Sequence, residues 1–127
     1  MSMTDQSLKD AAIEFLTLAA SGKVSDAYAR HVGFGFRHHN PNFRGDATSL
    51  KDAMQEDATK NPNKMLKVQR ALQDGNEVAV LSHVQQHPGD RGAAVVHIFR
   101  FEGGRIVELW DLGQAVPENL VNEHGMF

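Results

Sequence analysis

Apolar residues recur at helical spacing through DQSLKDAAIEFLTLAAS, residues 5 to 21, at Leu8, Ala11, Ala12, Phe15, Leu16 and Ala19. Gly22 follows where such a helix would stop. Ser25 heads a second, shorter run, DAYARHV, closed by Gly33. A third helix is predicted from Asp46, a cap-forming residue, through Ala47 to Thr59, and Asn61-Pro62-Asn63 ends it. Between the second and third runs lies FGFRHHNPNFRGD, aromatic, rich in histidine and broken at Pro41, which reads as a loop segment.

From Met65 onward the period shortens. MLKVQRALQ, EVAVLSHVQQH, AAVVHIFRFE and RIVELWDLGQ are strand-length runs, separated by turn signals at Asp74-Gly75, Pro88-Gly89-Asp90 and Gly103-Gly104. Helices followed by a meander of strands predict an α+β domain with an antiparallel sheet of four or more strands, not a βαβ unit. Such a sheet with three N-terminal helices on one face makes a curved half-shell. Its enclosed side is either filled by side chains or left open to a ligand. The tail AVPENLVNEHGMF has no strong period.

The polar residues on these apolar strands carry the chemical information. A two-residue turn at Gly103-Gly104 sets Glu102 against Arg105 and Phe101 against Ile106, then Ile98 against Leu109 and Val96 against Asp111. Alternation then puts the Asp111 carboxylate on a face with Val96, Ile98, Val107 and Leu109. A carboxylate in apolar surroundings holds protons more avidly, as a general acid/base must. The alternative is a strand-end carboxylate that accepts hydrogen bonds from a neighbouring loop. In this regular register His97 faces Trp110, away from Asp111. One β-bulge between them would bring His97 and Asp111 to the same side. Without it, His97 is a core histidine. His83 follows Ala79 and Leu81 on one face, either as part of a pocket wall or as a solvated strand end. Of the neighbouring His38 and His39, only one can face a given cavity.

Composition narrows the partners. The chain has 127 residues, consistent with a single domain spanning 1 to 127, and a formal net charge of -3 with 13 basic and 16 acidic residues. No basic surplus speaks for nucleic acid or an anionic membrane. Having no cysteine, it forms no disulfide and carries out no thiol chemistry. The first residues show no secretory pattern and no run is long enough to span a bilayer, so a cytoplasmic protein is expected. Seven histidines is a high count, but no compact metal-binding spacing joins them. A site assembled from separate strands, with His83, His97 and Asp111, is the remaining metal-dependent use.

The order of elements, together with YARHVGFGFRHHNPNFRGD, VAVLSHVQQHPGDRG and VVHIFRFEGGRIVELWDLGQ, resembles the SnoaL-like polyketide cyclases. These belong to the nuclear-transport-factor-2-like (NTF2-like) group, with ketosteroid isomerase and scytalone dehydratase. The resemblance implies a cone-shaped roll, a strongly curved sheet packed around the helices with a pocket at one end, and homodimers formed through the sheet's outer face. It implies Asp111 as the acid/base and His97 as its helper, so that the bulge would have to be present. His39 and Asn40, or His38, would stand at the pocket mouth, and the expected substrate-binding set is His83, His39, Asn40 and Trp110. The implied activity is enolisation of a small apolar carbonyl compound, followed by aldol-type cyclisation or isomerisation, with no metal or organic cofactor. The alternative is a non-catalytic small-molecule-binding module of the same fold.

Overall fold

The structure is a computed structural model that describes residues 7 to 127. Residues 5 and 6 of the predicted first helix lie outside the described residues. The elements run α1 (Leu8–Ala20), α2 (Val24–His31), β1 (Val32–His38), α3 (Ala47–Lys60), β2 (Met65–Asp74), β3 (Glu77–Gln85), β4 (Ala93–Glu102) and β5 (Arg105–Ala115). Each helix end has a local cause. Ser7 accepts a hydrogen bond from the Asp10 amide at the start of α1. At its far end Lys23 N–H reaches the Leu18 carbonyl and Gly22 N–H the Ala19 carbonyl. Gly22 sits at φ 86°, the left-handed conformation that this closing motif needs. Asp46 caps α3 through both the amide and the hydroxyl of Ser49.

The sheet has five strands in the order β1-β5-β4-β3-β2. Four form the antiparallel meander that the sequence pattern implies, while β1 adds a parallel edge strand beside β5. This fifth strand begins at Val32 and Gly33, the end of the predicted second helical run, and continues into the segment that reads as a loop. Its Gly33, Gly35, Arg37 and His38 break the apolar alternation expected of a strand. Gly33 is needed for close approach, since a Cβ there would stand 2.9 Å from that of Arg105.

The helices pack on the concave face. Phe15 and Leu16 of α1 are buried with Val24, Ala27 and Tyr28 of α2 against Val78, Val80, Phe99, Ile106 and Leu109 of the sheet. Phe15 meets Phe99 edge-on, with ring centroids 5.8 Å apart. Two bulges bend the sheet around this core. On β2, Gln69 is the extra residue between the Val68–Ser82 and Arg70–Leu81 pairs. On β5, Val107 is the extra residue between Phe101–Ile106 and Arg100–Glu108. The sheet does not close on itself, and one end of the shell stays open as a cavity.

Candidate active site

The β5 bulge decides which residues meet. The hairpin turns at Gly103 (φ 56°) and Gly104 (φ 79°), and Glu102 pairs with Arg105 and Phe101 with Ile106, as a two-residue turn requires. Past Val107 the register moves by one. Ile98 therefore pairs with Trp110 rather than Leu109, and Asp111 pairs with His97 rather than Val96. Leu109 and Asp111 now point to the concave side with Phe99 and His97, while Glu108, Trp110 and Leu112 point outward. One inserted residue thus converts a surface aspartate into a cavity aspartate.

The cavity has a volume of about 330 Å³, at the lower end of the range for small-molecule sites. Apolar walls come from Leu16, Leu50, Met54, Leu66, Val84 and Val95. Phe43 also lines it, from the loop after β1. Five polar side chains reach the same space, those of Asn40, Asp57, Lys64, His97 and Asp111.

Asn40 holds Asp111. Its Nδ2 donates to both carboxylate oxygens, at 3.2 and 3.1 Å, while its Oδ1 accepts from the Asn42 amide at 2.9 Å. That last bond fixes which end of the side-chain amide faces the carboxylate. The loop carrying Asn40 is tied down by His38, which is buried. The His38 Nδ1 accepts from the Asn40 amide, so the ring proton is on Nε2, which donates to the Arg44 carbonyl. His38 faces inward but is used up in supporting Asn40 and does not line the cavity.

His97 is 9% exposed, stacks beside Phe99 and has a buried Nδ1 with no hydrogen-bond partner. Burial pushes its pKa down to about 4, against the attraction of Asp111 and aided by the Lys64 ammonium. The ring is therefore neutral near pH 7, a hydrogen-bond donor through one nitrogen only.

The other expected binding residues lie on the convex face, by strand alternation. His83 follows Ala79 and Leu81 outward, while Val78, Val80 and Ser82 turn inward. Its Nε2 bonds with the Arg91 carbonyl, and its ring packs on Phe127, 4.5 Å away. His39 stacks on Trp110 at 4.9 Å and meets Glu108 at 2.6 Å. Arg37 and Arg100 converge on the same Glu108 carboxylate, and Arg37 above all, then His39, holds its pKa down at about 2. The cavity so unites Asp111, His97 and Asn40 and leaves out His39, His83 and Trp110. Among the described residues no group of His, Asp and Glu side chains is arranged to hold a metal, and no helix is long and apolar enough to cross a membrane.

Asp57 and Lys64 do not stand out as candidates in the sequence, although one signal was present. Leu50, Met54 and Asp57 follow one another at helical spacing, which sets a carboxylate on the inward stripe of α3.

No protein-family model and no curated protein matches the chain. Solved structures do. An NTF2-like protein of unknown function from Cytophaga hutchinsonii superposes with a TM-score of 0.70 at 17% identity, over 89% of this chain and 95% of its own. A proposed isomerase of the SnoaL-like family from Agrobacterium tumefaciens gives 0.69 at 11% identity, over 87% and 100%. IdmH, a proposed polyketide cyclase from Streptomyces antibioticus, gives 0.67 at 19% identity, over 85% and 92%. The chain thus has the α+β cone fold of the NTF2-like and SnoaL-like proteins.

Proposed function

We propose that the protein is a cofactor-independent acid/base enzyme that enolises a small apolar carbonyl compound, leading to aldol-type cyclisation or isomerisation. The observation that carries this reading is the direct pairing of His97 with Asp111 inside an apolar cavity. Asp111 removes a proton from the carbon next to the carbonyl. Negative charge then moves onto the carbonyl oxygen, where the N–H of neutral His97 donates to it. A neutral imidazole suits this task, because it stabilises the enolate without surrendering a proton too early. Asn40 keeps the carboxylate aimed without neutralising it. The names of the isomerase and cyclase that share the fold agree with proton-transfer chemistry at carbonyl compounds.

Turnover of enolisable aromatic ketones and esters by the wild type and by Asp111→Asn tests this reading. The variant should keep its circular dichroism and lose about a hundredfold or more in rate. Equal turnover by the two proteins would remove Asp111 from the mechanism.

The same reading includes a homodimer joined through the convex face, where Leu81, Val96, Ile98 and Leu112 form an apolar strip. Leu112 is 63% exposed there. Light scattering at micromolar concentration should give twice the chain mass, and a monomer mass would contradict it.

A further inference from the structure

The cavity has a second polar pole, whose hydrogen bonds are unevenly satisfied. Asp57 of α3 has three donors on its carboxylate. Its Oδ1 accepts from Asn61 Nδ2 at 3.2 Å and from Gln86 Nε2 at 3.0 Å, and its Oδ2 accepts from Lys64. Lys64 has fewer partners. Among the described residues its ammonium has Asp57 as its one acceptor, and two of its three N–H groups are left over. Its side chain is only 21% exposed and lines the cavity. Lys64 and Asp57 line the same cavity as His97 and Asp111, so both poles belong to one space. At the Asp57 end the free donors are those of Lys64, which lines the cavity, while the unpartnered Gln86 Oε1 is buried and belongs to a residue outside the cavity lining.

Charge decides what those donors can take. Counted formally, Lys64 offsets Asp57, His97 is neutral, and Asp111 adds one further carboxylate, so the lining has no surplus of positive charge. An anionic ligand would add a further negative charge to a low-dielectric space, whereas a neutral oxygen adds none. A carbonyl oxygen can accept from the ammonium at no such cost.

We propose that Lys64, held by Asp57, is a specificity-determining residue that binds a second, neutral carbonyl oxygen, so that the ligand of this cavity is an apolar dicarbonyl compound. This deepens the proposed function and rests on it for the role of the first carbonyl, the one beside His97 and Asp111. In an aldol closure the second carbonyl is the partner that the enolate carbon attacks. A new carbon–carbon bond forms, the attacked carbonyl oxygen takes up a proton, and no oxidant or reductant is needed.

Two isosteric probes separate the poles. 1,4-Diacetylbenzene carries two carbonyl oxygens, and 4-isopropylacetophenone replaces one acetyl group by an alkyl group of the same size. Calorimetric titration of the full chain should show the diketone bound about tenfold more tightly. Lys64→Met should erase that preference by weakening the diketone alone, and Lys64→Arg should retain most of it. Asp57→Asn/Lys64→Met, which leaves no unpaired carboxylate at this end, should also erase it; this separates a lost donor from a stranded Asp57. 4-Acetylbenzoate should bind the wild type no better than the diketone.

Absence of the preference in the wild type, or failure of both probes to bind, would overturn the proposal. So would a preference that survives in Lys64→Met, or 4-acetylbenzoate as the tightest of the three ligands. Asp111→Asn keeps the preference whether or not Asp111 is the base, so the fate of the Lys64 pole is read independently of the catalytic reading.

Discussion

Replacing His97 with leucine should stabilise the protein and remove much of its sensitivity to mild acid. The ring is buried and its Nδ1 is unpartnered, an arrangement that costs about 1 kcal/mol or more relative to an apolar side chain of similar size. The acid sensitivity follows from the pKa, which falls from an ordinary 6.5 to about 4 on folding. A lowered folded pKa means that the unfolded chain binds the proton more readily. The stability is complete above about 6.5 and is lost as pH falls from there toward about 4. At pH 5 the unfolded ring is about 1.5 units below its pKa while the folded ring is still neutral, which costs about 2 kcal/mol at ~1.36 kcal/mol per unit. At pH 7 the same cost is only a few tenths of a kcal/mol, about 0.2. Urea unfolding of wild type and His97→Leu at both pH values isolates the difference, because every other titrating group is common to the two proteins. The wild type should lose about 2 kcal/mol more than the variant between pH 7 and pH 5. Parallel losses would show that His97 is not the desolvated neutral group described here.

Asn40→Leu removes both contacts to Asp111, and activity should fall about tenfold or more with the unfolding midpoint little changed, measured by kinetics and a thermal melt. Leu112→Asp puts a charge on the apolar convex strip and should give a monomer by light scattering. Gly92→Ala should destabilise by more than about 2 kcal/mol in urea unfolding, because Gly92 has φ 74° and a Cβ there would lie 2.2 Å from the Val84 carbonyl oxygen.

The helices, the meander and its turns were legible in the sequence because each rests on local signals, namely apolar spacing, Asp46 as a cap and the Gly103-Gly104 turn. The edge strand β1 was not, because its residues are selected by one neighbour, β5, and its outer face is polar, with Arg37 meeting Glu108. The position of Asp111 depended on a single extra residue. Nothing about Val107 as a residue type marks it as a bulge, and the regular register pairs Asp111 with the wrong strand position. The resemblance to a family with a catalytic aspartate and histidine on these strands demanded that bulge, and it is present. The outward fates of His39, His83 and Trp110 follow from alternation once the register is known. The histidine count suggested chemistry, yet His38 supports a loop and His39 pairs with Glu108. The Asp57–Lys64 pole was hidden because its members come from a helix and a turn that meet only in the folded chain.

Removal of a carbon-bound proton by Asp111 in this cavity can be followed by proton NMR in D₂O. The signal to follow is the acetyl methyl resonance of 1,4-diacetylbenzene in the presence of the protein. Wild type should speed loss of that signal by deuterium exchange well above the buffer rate, and Asp111→Asn, binding the ligand equally, should not. Exchange at the buffer rate with the ligand bound to wild type, or equal exchange by both proteins, would contradict that role of Asp111.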